Sequence, residues 1–390
     1  MIKKRLFEGF CGVSSSGWRL FSQIDAVPLK TNRLKSKVIF GSSGSIKTLE
    51  KPKVIERKKS EKIAYFFLIL SIILIYGLTN FQYTGPAYLS DEIGYLSKAA
   101  AFAGYPVDMS SSWHGGYSLM LAPLFVFFSD PSVIWRGVVF LNVFMWAISF
   151  FLLFKLLVDL FPEKNFWVVL SSVGVSAIYP AWITMSGYAF STPAFVLVYM
   201  VALNLLLHSK ISDISWILYS FSVGFLYWIH PIGLAVIFVS LFISIILFWR
   251  FGNFFRLIFH VLIVLLLVVI YQFFLHPYLN YIMTPENFTS GSHYPPVLKI
   301  IDSFRNIEFL SRFFLISIGQ FSYLLISTFG LVVYGLIEMY YNAKYNMRSI
   351  NNQPTNIFTL MTISLMAFSI FAIIFMGSAS FSLSNQNRID

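Results

Sequence analysis

Asp91 and Glu92 stand side by side just after the first long apolar run of a chain in which 12% of residues are charged and 57% are hydrophobic. Adjacent carboxylates in such surroundings are costly unless they face water or a site. A carboxylate held at a membrane–water boundary can take a proton from an acceptor hydroxyl, the first requirement for group transfer to oxygen. The text around the pair, SDEIGYLSKAAAFAGYP and then WHGGYSLMLAPLF, sets it beside aromatic rings. A second reading needs no chemistry. Ser90 can cap a helix running to about Phe102, and two acids in its first turn suit the helix dipole.

The elements that position these residues are membrane elements. Mean hydropathy is +0.73, and 43 Phe and 21 Tyr exceed what a soluble core of 390 residues would hold. Runs of about 18 or more residues with few charges read as transmembrane helices. The bilayer offers the backbone no water, so the expected fold is an all-α helical bundle. A β-barrel would show alternating segments of about 10 residues, and the sequence has none. Spans are expected at Ile63–Thr79, Arg136–Leu160, Phe166–Ile183, Pro193–Leu207, Trp216–Trp228, Ile232–Trp249, Leu257–Leu275, Phe313–Leu336 and Ile357–Phe375.

Charge decides the topology. The net charge of +11 is concentrated before the first span, with Lys3, Lys4, Arg5, Lys51, Lys53, Arg57, Lys58 and Lys59. Residues 1–61 therefore read as a basic, disordered cytoplasmic tail rather than a nucleic-acid patch. The first 30 residues lack the apolar region of a signal peptide. Cys11 is the only cysteine, which excludes an intrachain disulfide and a CxxC metal site. Gly116–Phe128 is apolar but rises only about 20 Å, short of a core about 30 Å thick. If it crossed, Arg250, Arg256, Lys344 and Arg348 would face outside, against the positive-inside rule. It is therefore expected to lie in the interface, giving about nine spans across residues 62–390, an N-terminus inside, and large external loops at 80–135 and 276–312.

In order along the chain come Asp91-Glu92, Tyr95, then HGGYSLMLAPLF from His114, then DPSVIWR ending at Arg136. This succession resembles the first external loop of the GT-C superfamily of polytopic glycosyltransferases, such as protein O-mannosyltransferases and the aminoarabinose transferases that modify lipid A. The likeness covers about residues 62–210. It implies a multi-pass protein of the plasma (inner) membrane of the cell envelope. Such a protein moves a sugar, with inversion, from a polyprenyl-phosphate carrier to a glycan, lipid or protein acceptor on the outer face. By that resemblance Asp91 is the catalytic base, and Glu92 orients the acceptor or helps hold a metal. Arg136, His114 and Arg388 would meet the donor phosphate, which suits a planar guanidinium. Tyr95, Tyr117 and His230 would contact substrate. The likeness fixes no cofactor: a divalent metal at Glu92 stays an alternative. The chain departs from the family pattern where Thr192 in SGYAFSTP replaces an acid, and where Gly115-Gly116 replaces a Pro pair. Arg388-Ile389-Asp390 reads as the start of a further external motif, so the chain is expected to be a fragment if the family length holds.

Two other classes fit an apolar bundle: a transporter or flippase of lipid-linked saccharides, and a polymerase of them. A transporter calls for helices broken at the midplane and for internal repeats, whereas the acids here sit at the rim and no repeat is visible. A polymerase would concentrate arginines in the late external loops. Arg305 and Arg312 lie there, though interfacial snorkelling accounts for both.

Overall fold

A computed structural model of the chain describes residues 59–87, 89–107, 113–162, 164–209, 213–251, 254–283, 305–327 and 361–374, with Gly335, Ile337, Tyr340 and Tyr341 between the last two stretches. The expected tail falls outside the described residues up to 58. The described part is all-helical, as expected. In chain order the helices are α1 (Lys59–Asn80), α2 (Ser90–Phe102), α3 (Gly116–Phe127), α4 (Pro131–Leu160), α5 (Phe166–Ala177), α6 (Pro180–Met185) and α7 (Thr192–His208). They continue with α8 (Asp213–Ile229), α9 (Gly233–Phe251), α10 (Phe254–Ile270), a π turn (Tyr271–Leu275), α11 (His276–Met283), α12 (Ile307–Ser327) and α13 (Met361–Ile374).

Local chemistry sets these boundaries. Asp130 caps α4, its carboxylate accepting from the Ser132 N–H at 2.8 Å, and Pro131 occupies the first turn where its missing N–H costs nothing. Asn165 caps α5 in the same way through the Trp167 N–H at 2.9 Å. The single span expected over Phe166–Ile183 is corrected: α5 stops at Ala177 and α6 restarts at Pro180. Proline disfavours a helical residue before it and cannot donate to the preceding turn, so the chain bends there. Three stretches are long and apolar enough to cross a membrane: α1, α4, and the continuous run Phe254–Met283. The α3, α5, α7 and α13 helices and the Gly233–Ile245 part of α9 are apolar but shorter.

Packing divides into two clusters. One joins α1, α3, α4 and α5 through Tyr76, Trp146, Phe150, Phe154 and Val173. The other joins α7, α8, α9, α10 and α13 through Leu203, Leu206, Trp216, Tyr219, Val236 and Leu365. Within the second, the buried ring of His260 meets the Ser220 hydroxyl at 2.8 Å and the Ser240 hydroxyl at 3.2 Å, a polar knot between three helices. The outer faces are apolar as well. Phe66, Phe140, Phe255 and Phe273 are all more than half exposed, a surface that suits lipid rather than water.

Candidate functional site

The helix that carries the acid pair is held by one of those acids. Leu89, not Ser90, occupies the cap position of α2. Glu92 is fully buried; one carboxylate oxygen accepts from the Leu89 N–H at 3.3 Å and the other from the Ala189 N–H at 3.1 Å. A buried carboxylate is tolerable only with such partners, and the N-terminal dipole of α2 adds to them. Glu92 thereby ties α2 to the strip Ser186–Ser191 that joins α6 to α7. Asp91 is half-buried.

The same strip collects bonds from three other sources. Tyr95, one turn further along α2 and buried, donates to the Ser191 hydroxyl at 2.9 Å. Tyr117, buried in α3, meets Tyr95 edge-on with ring centres 5.3 Å apart and donates to Asn142 Oδ1 at 2.7 Å. The amide nitrogen of that asparagine, in α4, donates to the Tyr188 carbonyl at 2.7 Å. From α1, the Asn80 amide nitrogen donates to the Ile183 carbonyl at 2.9 Å and the Ser186 hydroxyl at 2.7 Å. Gly187 makes room for this: a Cβ there would come within 2.3 Å of Asn80 Oδ1.

One concavity borders the strip, and a second shares Tyr83 with it. The first, of about 530 Å³, is walled by residues 82–87 with Gly187 and Tyr188, and is mainly polar. The second, of about 320 Å³, is an apolar groove between α1 and α4 lined by Ile73, Gly77, Phe81, Val139, Phe140 and Arg136, among others. Tyr83 belongs to both walls. The Arg136 guanidinium lies 5.5 Å from the centre of the Phe81 ring, a cation–π contact at the groove. Asp91 follows four residues after Ala87 of the polar pocket and is part of neither wall.

Further along α2 and against it lies a group of buried basic side chains. Lys98 is fully buried and donates to the Trp113 carbonyl. His114, also buried, bonds through Nδ1 to the Tyr227 carbonyl of α8 and stacks on Tyr271 of the π turn at 4.6 Å. Since a carbonyl only accepts, Nδ1 carries the hydrogen. The Tyr271 hydroxyl accepts from the Gly115 N–H at 3.1 Å. The paired glycines have a geometric reason: a Cβ on Gly116 would lie 2.5 Å from the Trp228 carbonyl group, and one on Gly115 would lie 2.5 Å from Leu279 of α11. Burial pulls Lys98 from its usual range down to about 8. Burial likewise lowers His114 to about 3; the Tyr227 carbonyl acts in the opposite sense, and the positive charges of His230, Lys98 and His276 push further down. His230 falls to about 4 through burial.

Of the residues singled out in the sequence, Asp91, Glu92, Tyr95 and Tyr117 come together around α2, and His230 comes near His114. Arg136 does not join them: its surroundings are α1 and the groove, whereas His114 is held by α8 and the π turn. Arg388 and most of the loop 276–312 lie outside the described residues. Among the described residues, no three His, Cys, Asp or Glu side chains come together in a way that could hold a metal ion. Sequence reasoning passed over Asn80, Asn142, Lys98 and Tyr271. The available signal was an amide or ammonium inside an apolar run, as in LTNFQ and FLNVF.

The described residues are all-helical, and their apolar helices, three stretches of them long enough to cross a bilayer, suggest a membrane protein. No family model matches the chain, and no curated protein matches it either.

Proposed function

We propose that this chain is a multi-pass glycosyltransferase of the plasma (inner) membrane, with its N-terminus in the cytoplasm. It takes a sugar from a polyprenyl-phosphate carrier and passes it to an acceptor hydroxyl on the outer face. Asp91 accepts the hydroxyl proton. The acceptor oxygen forms a bond to the anomeric carbon as the bond from that carbon to the carrier phosphate breaks, and the carrier leaves as polyprenyl phosphate. Attack opposite the leaving group inverts the anomeric centre.

The observation that carries this reading is how Glu92 fixes the helix end that bears Asp91. Glu92 spends both oxygens on backbone N–H groups, so it acts as a positioning residue that fixes the start of α2 against the Ser186–Ser191 strip. Asp91 is the half-buried carboxylate at the same helix end, four residues after Ala87 of the wall of the polar pocket. The groove between α1 and α4, lined by aliphatic and aromatic side chains with Arg136 among them, has the character needed for an isoprenoid chain with a phosphate at one end.

Mass analysis of lipid-linked sugars and surface glycans, in cells with and without the gene, tests this. Loss of one glycosylated product with accumulation of its lipid-linked donor is expected. Asp91→Asn keeps the shape and removes the basic oxygen, so transfer should fall by roughly 10²–10⁴ while the protein still inserts. Unchanged glycans in the deletion, or near-normal transfer by Asp91→Asn, would return the pair to helix capping.

A further inference from the structure

The polar pocket beside the Ser186–Ser191 strip encloses about 530 Å³, within the range of sites that hold small molecules. Its wall is the segment 82–87 together with Gly187 and Tyr188, and no wall residue is Asp, Glu, Lys, Arg or His. An ionic ligand would lose hydration there with no opposite charge to compensate it. An acyl or isoprenoid chain gains little from a mainly polar wall, and the apolar groove between α1 and α4 suits it better. The pocket therefore selects for a ligand that is polar and uncharged.

Two aromatic rings belong to that wall. Tyr83 and Tyr188 stand with ring centres 6.5 Å apart and planes inclined by 31°. The Tyr188 carbonyl accepts from Asn142 Nδ2 at 2.7 Å and from the Phe190 N–H at 2.9 Å, and its ring leans on that of Phe190 at 5.5 Å. The Tyr83 N–H donates to the Asn80 carbonyl at 3.1 Å. A Cβ on Gly187 would come within 3.3 Å of the Tyr83 ring, so glycine lets that ring approach the strip. A Cβ on Gly85 would meet no atom within 4 Å, so the wall has room there. The Gln82 amide and the hydroxyls of Tyr83, Thr84 and Tyr188 make no hydrogen bond to another described residue. Tyrosines are common as anchors at a bilayer interface, but anchoring does not require two rings, an amide and a threonine hydroxyl around one cavity.

We propose that this pocket binds an uncharged saccharide, with Tyr83 and Tyr188 as its aromatic side. A pyranose ring carries C–H groups on its faces and hydroxyls around its edge. The C–H groups lie against the electron-rich face of a tyrosine ring. The hydroxyls exchange hydrogen bonds with Gln82, Thr84 and the tyrosine hydroxyls, all of which both donate and accept. A peptide is the less suited occupant, because the described residues include no strand edge with which its backbone could pair. The binding claim stands on the pocket alone. That the saccharide is the acceptor of the transfer, rather than a lipid or a protein, rests on the function proposed above.

The test is direct binding, read by saturation-transfer difference NMR on purified full-length protein in a polyoxyethylene detergent, which carries no sugar. The probes are maltose, cellobiose, lactose and diacetylchitobiose. Digalacturonate, glycerol and an uncharged serine-rich peptide capped at both ends serve as comparisons. Saturable transfer to at least one uncharged disaccharide is expected, with none to digalacturonate or glycerol. Tyr188→Ala should raise the half-saturating concentration by about tenfold, near the top of what one aromatic contact carries. Tyr188→Phe keeps the ring and should cost about threefold, the weight of one neutral hydrogen bond. If Tyr188→Ala does not fold, Tyr83→Ala at an exposed position should weaken binding severalfold, and Gly85→Phe should block the pocket without straining its wall. No saturable transfer to any of the four disaccharides, a response to the peptide alone, or undiminished binding in Gly85→Phe overturns the proposal. Saccharide binding by a protein whose deletion leaves every glycan unchanged would keep this site and overturn the transfer reading. Loss of a glycan in the deletion, without disaccharide binding, would do the reverse.

Discussion

Lys98 and Glu92 sit two turns apart on α2, both fully buried, and they meet the cost of burial differently. Glu92 has two N–H donors and a helix N-terminus; Lys98 has a single carbonyl. The lysine therefore leaves a mark on the pH dependence of stability. Its pKa is lowered from about 10.5 unfolded to about 8 in the fold. Between those values the unfolded chain binds a proton that the folded chain does not, so stability rises with pH through the window from about 8 to 10.5. Below about 8 both states carry the proton and the full burial penalty remains. Comparing unfolding midpoints of wild type and Lys98→Met from pH 7.5 to 10.5 should show this slope in wild type only. The comparison removes the tyrosines that titrate near the top of the range. Parallel curves would mean that Lys98 is reached by water. Little of this was legible in the sequence. The acid pair announced itself by charge, but Lys98 looked like an ordinary polar position of an amphipathic helix. Asn80 directly follows the first expected span and Asn142 lies inside the second, with nothing in the sequence to name their partners. Their importance comes from the Ser186–Ser191 strip, whose own residues carry no charge.

At the scale of elements, caps and prolines were readable and lengths were not. The start of α4 follows from Asp130-Pro131, and α2 occupies the span expected from Ser90 to Phe102. The break between α5 and α6 was signalled by Pro180 and overlooked because hydropathy runs straight across it. α3 agrees in extent with the short apolar segment at Gly116. Its one face is buried through Tyr117, Leu121 and Ala122, while Leu119, Val126 and Phe127 are exposed. That two-sidedness suits a helix lying in the interface, and at 12 residues it rises only about 18 Å. Two-sided cysteine labelling on a background lacking Cys11 tests the placement. A cysteine at Asp130 should react with an impermeant external reagent, and cysteines at Lys155 or Arg256 should not. Protection at Asp130 with external reaction at Arg256 would mean that α3 crosses, and would invert every helix after it.

At the scale of the whole molecule, three stretches have the length to cross a membrane unaided, and the shorter apolar helices must be carried by their neighbours. Polar ties do part of this. His260 joins α8, α9 and α10. Arg256 closes on Asp213 where α8 and α10 begin, at 2.8 Å. These ties leave α1 and α4 free to face lipid along the groove that Arg136 borders, with Phe81 against its guanidinium. An exposed arginine at that depth has two accounts. It can anchor α4 at the interface, or it can hold the phosphate of a lipid whose chain occupies the groove. The two differ in what lysine can replace. An anchor needs only a charge on a long stem, so Arg136→Lys should behave as wild type and Arg136→Ala should lower the amount of inserted protein. A phosphate partner uses the planar fork, so Arg136→Lys should weaken donor dependence partway and Arg136→Ala further, at normal insertion. We expect the second pattern, because the groove beside Arg136 is walled by apolar side chains and opens next to the polar pocket through Tyr83. Apparent donor affinity unchanged in both variants would leave Arg136 an anchor.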